Sequence, residues 1–151
     1  MANFEISVQL GSPVSVVFDF FRNPFNRSLV SPPGAGMVIV SGPNPLHVGS
    51  VIEFKVQGMG LVQQLSHEIV ELEENTMMLE RQVKGPLKSF IHRHRFISDG
   101  ESQTTLIDEL EFEPPGGILG LLVTEDKLLD NFEDGFYYRN LELGKRFGTI
   151  A

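Results

Sequence analysis

Histidine and phenylalanine side chains alternate with other residues in the segment Phe90-Ile91-His92-Arg93-His94-Arg95-Phe96. Successive side chains of a β-strand point to opposite faces, so one face carries both imidazoles between two aromatic rings. The residues on that face are Phe90, His92, His94 and Phe96. Such a face is typical of a pocket that is mostly apolar with a few polar anchors. The segment therefore predicts a small-molecule cavity, without identifying the molecule.

Asp108 follows on the next predicted strand. If the intervening turn is centred near Gly100, antiparallel pairing places Asp108 roughly opposite His92, with Cβ atoms about 5 Å apart. A carboxylate in contact with an imidazole could fix its tautomer for acid–base chemistry, or could form a purely structural hydrogen bond. A shift of one residue in the register would turn Asp108 away from both histidines.

His92 and His94 allow four interpretations. They could be buried structural imidazoles, groups that hydrogen-bond a ligand carbonyl or hydroxyl, acid–base residues, or metal ligands. The metal interpretation has the least support, because no third histidine lies close in sequence and the pattern does not place His47 or His67. We therefore predict no metal site.

Arg139 is the other unusual residue, because it falls on the apolar stripe of a predicted helix, seven residues after Phe132 and three after Phe136. Its alkyl stem could pack on apolar surface while the guanidinium lies at the rim or pairs with an acid. Alternatively, the guanidinium could face the cavity and bind a ligand carboxylate through two hydrogen bonds.

The composition limits the classes of protein to consider. A chain of 151 residues with 41% hydrophobic residues and a mean hydropathy of −0.01 predicts one globular domain over residues 1–151. The net charge of −8 disfavours nucleic-acid binding, and no apolar run reaches the roughly 18 residues that span a bilayer. With no secretory pattern at the N-terminus and no cysteine, we expect a cytoplasmic protein without disulfides or thiolate chemistry.

Motifs for cofactors and nucleophiles are not found. The segment Gly58-Met59-Gly60 predicts a hairpin turn, and it is not a phosphate-binding loop because no helix follows it. There is also no Gly-x-Ser-x-Gly sequence that would present a nucleophilic serine. We therefore expect no cofactor.

Hydrophobic periodicity predicts the elements that must position these residues. Alternation predicts strands, and apolar residues at i, i+3, i+4 and i+7 predict helices. The predicted strands cover residues 4–10, 37–40, 50–57, 61–72, 76–83, 88–97 and 104–113, with a helix over 13–22 and a short helical turn over 25–30. A long helix is predicted over 118–147, with Leu122 on the apolar stripe that must pack against the sheet.

This order of elements, together with a set of short motifs, resembles the START-like (SRPBCC) superfamily, and in particular its bacterial ligand-binding proteins. The motifs are Pro13-x-x-x-Val17-Phe18, Asn23-Pro24, Gly85-Pro86, His92-x-His94-x-Phe96, Thr105-x-x-x-Glu109, Pro114 and Phe136-x-x-Arg139. The resemblance implies an α+β helix-grip fold, in which a curved antiparallel sheet of about seven strands wraps around the C-terminal helix. It does not choose among the activities of the superfamily.

Three functions are compatible with the sequence. The first is binding of a small hydrophobic or aromatic molecule, oriented by His92, His94 and Arg139 and enclosed by apolar walls. The wall residues would be Ile52, Phe54, Phe90, Phe96, Phe132 and Phe136. The second is an enzyme resembling polyketide cyclases or dehydratases, with His92 or His94 and Asp108 as the acid–base pair. The third is a protein-interaction module, which predicts a filled interior and an exposed apolar patch.

Overall fold

The computed structural model describes residues 1–58 and 61–150. The strands are β1 (Ala2–Leu10), β2 (Val38–Ser41), β3 (Val51–Gly58), β4 (Leu61–Glu73), β5 (Met77–Lys84), β6 (Ser89–Ser98) and β7 (Thr104–Glu113). They form one antiparallel sheet in the order β1-β7-β6-β5-β4-β3-β2, which confirms the predicted seven-stranded sheet. Met59 and Gly60, within the predicted hairpin turn, lie outside the described residues.

Helices lie before and after this sheet. Helix α1 (Val14–Arg22) and two 3-10 helices (Pro24–Val30 and Pro33–Ala35) connect β1 to β2. The first two confirm the predicted helix over 13–22 and the predicted helical turn over 25–30. Helices α2 (Gly117–Leu122) and α3 (Glu125–Phe147) follow β7. None of the helices in the described part of the chain is both long enough and apolar enough to cross a membrane.

The prediction of one continuous helix over 118–147 is wrong, because the chain breaks at Val123–Thr124. The Thr124 hydroxyl accepts a hydrogen bond from the Lys127 N–H and caps the start of α3. Two acidic residues in the first turn favour the same start, because they face the positive end of the helix dipole. Leu122, predicted to face the sheet, is instead 59% exposed on α2.

Helix α3 packs on β1 unevenly along its length. Near its C-terminal end Leu143 and Phe147 are buried in a cluster with Leu10 and Phe18. The apolar side chains of its N-terminal half are only partly buried; they are Leu128, Leu129, Phe132 and Phe136. The helix is therefore fixed firmly at one end and covers the sheet less completely at the other.

The register between β6 and β7 differs from the predicted one. Asp108 pairs with His94, and His92 pairs with Leu110, so the predicted pairing of Asp108 with His92 is wrong by two residues. The turn between Ser98 and Thr104 is centred on Glu101 rather than on Gly100, and this moves every pair by two positions. Because a shift of two residues preserves the face, Asp108 still points to the same side of the sheet as the histidines.

Candidate functional site

Five ionisable side chains are buried on one face of the sheet, on four adjacent strands. They are His67 on β4, Glu80 on β5, His92 and His94 on β6, and Asp108 on β7. Each occupies an inward position of its strand, so the polar groups form a band across the sheet. Charged side chains are rarely buried without partners, so these five side chains need hydrogen-bond and charge partners within the protein.

Asp108 is the centre of one group of contacts. Its carboxylate accepts a hydrogen bond from Nε2 of His92 at 2.7 Å and two from the guanidinium of Arg139. Burial opposes ionisation of this carboxyl, but the Arg139 guanidinium and the His92 hydrogen bond outweigh burial and lower its pKa well below the ordinary value. Asp108 is therefore an ionised carboxylate in the core.

Glu80 is the centre of a second group, which contains one arginine and two imidazoles. Its carboxylate accepts hydrogen bonds from Nδ1 of His67 at 2.8 Å and from Nη1 of Arg27 at 3.0 Å. Nε2 of His94 donates a third at 2.6 Å. Burial again opposes ionisation, and the Arg27 charge together with the two imidazole hydrogen bonds lowers the pKa of Glu80 well below its ordinary value.

His94 lies between the two carboxylates. While its Nε2 contacts Glu80, its Nδ1 lies 3.5 Å from Oδ1 of Asp108 and is buried without a hydrogen-bond partner among the described residues. Its ring stacks on that of His92, with centroids 3.7 Å apart and planes at 24°. Burial and the neighbouring His92 lower the pKa of His94 from 6.5 to about 4, so it is a neutral imidazole near pH 7.

His92 and His67 each keep one ring nitrogen available. Nε2 of His92 donates to Asp108, and Nδ1 of His67 donates to Glu80. The remaining nitrogens, Nδ1 of His92 and Nε2 of His67, make no hydrogen bond within residues 1–58 and 61–150. Their side chains remain 8% and 9% exposed, whereas those of His94 and Asp108 are 3% and 0% exposed. In the neutral imidazole the available nitrogen is a hydrogen-bond acceptor.

Aromatic rings surround the band. The Phe136 ring contacts His92 edge-on at 5.5 Å between centroids, and Phe90 lies 6.3 Å from His92 and 5.1 Å from His67. Phe132, on α3, contacts Phe90 at 6.0 Å. The imidazole rings of His92 and His67 therefore border an aromatic wall formed by β6 and α3.

The structure brings together most, but not all, of the residues predicted from sequence. His92, His94, Asp108 and Arg139 form one contact network, and three of the predicted wall residues border it: Phe90, Phe132 and Phe136. Phe54 touches the band through His67, at 4.9 Å between ring centroids. Ile52 and Phe96 are buried in separate hydrophobic clusters. The guanidinium of Arg139 pairs with an acid, one of the two alternatives left open by the sequence.

Three residues of the network were not identified from sequence: Arg27, His67 and Glu80. Glu80 follows Met78 at the inward positions of β5, so a carboxylate on the apolar face was the available signal. The run Met77-Met78-Leu79 obscured that signal, because it leaves open which face is apolar. Arg27 gave no signal, because short 3-10 helices have no periodicity that predicts orientation.

Glu80, His92 and His94 together could also hold a metal ion, since one ligand atom from each lies within 4.8 Å of the others. Glu80 already pairs with Arg27 and accepts hydrogen bonds from two imidazoles, and His92 already donates to Asp108. The observed arrangement therefore suits hydrogen bonding better than metal coordination. The absence of a metal site remains a prediction.

Two surface depressions in the described part of the chain lie away from this network. One, of about 410 Å³, is lined by Leu29, Val30, Glu142, Lys145 and Arg146. The other, of about 250 Å³, lies over the β2–β5 region and includes Val40, Phe54 and Lys84. Neither is lined by an ionisable residue of the buried network.

A seven-stranded antiparallel sheet that holds a long C-terminal helix over a polar, aromatic interior defines the helix-grip class of START-like proteins. The chain belongs to the family described as polyketide cyclase / dehydrase and lipid transport, whose model matches residues 1–141. This confirms the resemblance to the START-like superfamily. No curated protein matches the sequence.

Solved structures show the same fold at low sequence identity. A protein from Chromobacterium violaceum matches with a TM-score of 0.77 at 13% identity, covering 98% of both chains. The Zhui aromatase/cyclase from Streptomyces sp. R1128 matches with a TM-score of 0.70 at 16% identity, covering 95% of this chain and 92% of its own. The major latex-like protein 151 of Panax ginseng matches with a TM-score of 0.71 at 17% identity over 97% of both chains. These identities establish the fold alone.

We predict that Asp108→Asn is strongly destabilising, because it leaves the guanidinium of Arg139 buried without its counter-charge. Urea unfolding should show a loss of about 3–5 kcal/mol in the free energy of unfolding. Glu109→Gln, at the next position of β7, removes an exposed partner of Arg95 and should cost less than about 1 kcal/mol. Equal losses in the two variants would contradict the ionised state of Asp108.

We also predict that His94 makes stability depend on pH. Because its pKa is lowered to about 4, the unfolded chain takes up a proton near pH 6.5 that the folded chain does not. Between pH 6.5 and pH 4 the free energy of unfolding of the wild type should therefore fall by about 3 kcal/mol more than that of His94→Gln. In this variant the amide can still donate to Glu80. Urea unfolding across this range measures the difference, with His47→Gln at an exposed histidine as the control. Parallel curves for wild type and His94→Gln would refute the prediction.

Proposed function

We propose that the protein binds a small molecule with an apolar or aromatic body and a hydrogen-bonding end, between the sheet and the N-terminal half of α3. The observation that carries this proposal is the state of His92. Its Nε2 is held by Asp108, its Nδ1 is available, and aromatic rings surround it. An acceptor on a largely buried ring that makes no hydrogen bond within the described residues favours a ligand that carries a donor.

The apolar part of the ligand would be enclosed by the partly buried side chains of α3. Phe132 packs edge-on against Phe112 at 5.0 Å, and Phe136 lies 5.8 Å from Phe4. Because these rings are not fully buried, a ligand among them would remove further apolar surface from water. Such burial contributes about 25 cal/mol for each Å² covered.

Entry of a ligand requires Phe132 and Phe136 to move outward, since they cover His92 and Phe90. The C-terminal end of α3 is anchored by Leu143 and Phe147, so the proposed movement is confined to the N-terminal half of the helix. Elements that move during ligand binding are usually those with few buried apolar contacts, because such elements have low local stability.

A second candidate function is catalysis, favoured by the 2.7 Å contact between His92 and Asp108. The carboxylate fixes the tautomer with the proton on Nε2, so Nδ1 is the basic nitrogen. In a cyclisation, it would remove a proton from a carbon flanked by two carbonyls. The same imidazole would return the proton to the oxygen of the carbonyl that the carbanion attacks.

The interaction-module hypothesis rests on a different surface. Ile118, Leu121 and Leu122 on α2 are 81%, 79% and 59% exposed, and together they form an apolar patch. This patch distinguishes the hypotheses, because variants on α2 leave the buried network unchanged.

The first experiment is native mass spectrometry of freshly purified protein, followed by solvent extraction and a titration with 2-naphthol. We expect a removable adduct at one per chain, or stoichiometric naphthol binding by the emptied protein. His92→Gln, whose amide keeps a donor for Asp108 but lacks the acceptor, should weaken naphthol binding about tenfold. The double variant Leu121→Ala/Leu122→Ala serves as the control and should bind as the wild type does. If the α2 variant loses binding and His92→Gln binds fully, the binding site is the surface patch and the proposed site at His92 is refuted.

The catalytic alternative predicts turnover of a linear poly-β-ketone analogue. His92→Gln should reduce the rate at least a hundredfold with little change in the affinity for the reaction product, because general-base catalysis contributes roughly 10²–10⁴-fold. Liquid chromatography of the cyclised product measures the rate, and circular dichroism verifies that the variant folds. Undiminished turnover in His92→Gln would exclude this mechanism.

A further inference from the structure

The network contains a second carboxylate–imidazole pair that repeats the arrangement of the first. Glu80 accepts from His67 and from Arg27, just as Asp108 accepts from His92 and from Arg139. The two pairs lie on different strands and receive their arginines from different elements, the 3-10 helix Pro24–Val30 and α3. His94 joins them through its contacts with both carboxylates.

The orientation of His67 is determined by Glu80. An ionised carboxylate has no proton to donate, so the hydrogen in the 2.8 Å contact belongs to Nδ1 of His67. In the neutral imidazole the other nitrogen, Nε2, is then an acceptor, and it makes no hydrogen bond within the described residues. The residue is only 7% exposed, so this acceptor lies on a largely buried ring.

Both imidazole rings border the same aromatic wall. The centroid of the Phe90 ring lies 5.1 Å from that of His67 and 6.3 Å from that of His92. Phe54 packs edge-on against His67 at 4.9 Å. Because β5 separates β4 from β6, the two histidines stand on backbones about 10 Å apart, a distance comparable to the length of a two-ring molecule.

We infer that the site takes a ligand with two hydrogen-bond donors on one apolar frame, an aromatic diol, with one hydroxyl donating to Nδ1 of His92 and the other to Nε2 of His67. This inference rests on the proposed function, since it assigns a second anchor to the same binding site. A monohydroxylated molecule supplies a donor to only one of the two acceptors, so it makes one hydrogen bond fewer and binds less tightly.

The test compares 2-naphthol with 1,5-, 2,6- and 2,7-dihydroxynaphthalene by isothermal titration calorimetry at pH 8. In the wild type, we expect at least one diol to bind about tenfold or more tightly than 2-naphthol. In His67→Asn the amide can still donate to Glu80, but the acceptor Nε2 is lost. The affinity of the diol should therefore fall to that of 2-naphthol. The ratio of the diol and 2-naphthol affinities should therefore fall to about one in this variant, and His47→Asn at the exposed histidine should leave both affinities unchanged.

The outcomes separate this inference from the proposed function. If 2-naphthol binds and no diol binds more tightly, or if His67→Asn weakens both probes equally, the second anchor is refuted and the binding site at His92 stands. If neither 2-naphthol nor any diol binds, both proposals fail.

A second measurement needs no ligand and no variant. Nitrogen-15 spectra of the imidazoles of the wild type should show His67 with its proton on Nδ1 and His92 with its proton on Nε2. The opposite tautomer at His67 would overturn the inference even if His67→Asn fails to fold.

Discussion

The burial of two ionised carboxylates is the constraint on which the rest of the core depends. Removing a carboxylate from water costs several kcal/mol unless charge and hydrogen bonds compensate for it. Here the compensation comes from two arginines on two elements that cover the sheet. Arg27 belongs to the 3-10 helix before β2, and Arg139 belongs to α3. Each covering element is therefore fixed in place by a charge on the sheet as well as by apolar contact.

This network is an unusual way to fill a core. Well-packed apolar residues of similar volume stabilise a protein as much as a buried ion pair does, or more. Stability alone is therefore a weak reason for seven polar side chains in the interior. The specific property that the network adds is orientation. Each carboxylate fixes one nitrogen of an imidazole and thereby determines the chemistry of the other nitrogen. His94 is the exception, because both of its nitrogens face carboxylates and neither is available.

Much of the fold could be predicted because alternation and helical spacing are local properties. The face shared by His92, His94 and Phe90 follows from the alternation within β6, and the face of Asp108 was predicted correctly despite an error of two residues in the β6–β7 register. The break before α3 was missed because Leu122 continues the apolar spacing, whereas the cap formed by Thr124 depends on one hydroxyl.

The contacts among Arg27, His67 and Glu80 could not be predicted from local sequence patterns. Arg27 and Glu80 are 53 positions apart, and their contact depends on how the 3-10 helix packs against β5. His67 was visible in the sequence, but its role follows from its place two strands away from His92. Pairing across a sheet and the packing of short helices are set by tertiary structure, which a single sequence does not display.

The position of Arg139 connects the polar network to access from outside. Its guanidinium binds Asp108 and also lies over the Phe136 ring at 4.7 Å and the Phe21 ring at 5.6 Å. It therefore holds α3 to the sheet between the buried C-terminal end and the partly buried N-terminal half of that helix. In the opening proposed above, Phe132 and Phe136 move outward with the N-terminal half of α3, while Arg139, about one turn after Phe136, keeps its pairing with Asp108. Opening of this kind would not separate buried charges, and the carboxylate that orients His92 would also fix the point about which the helix moves.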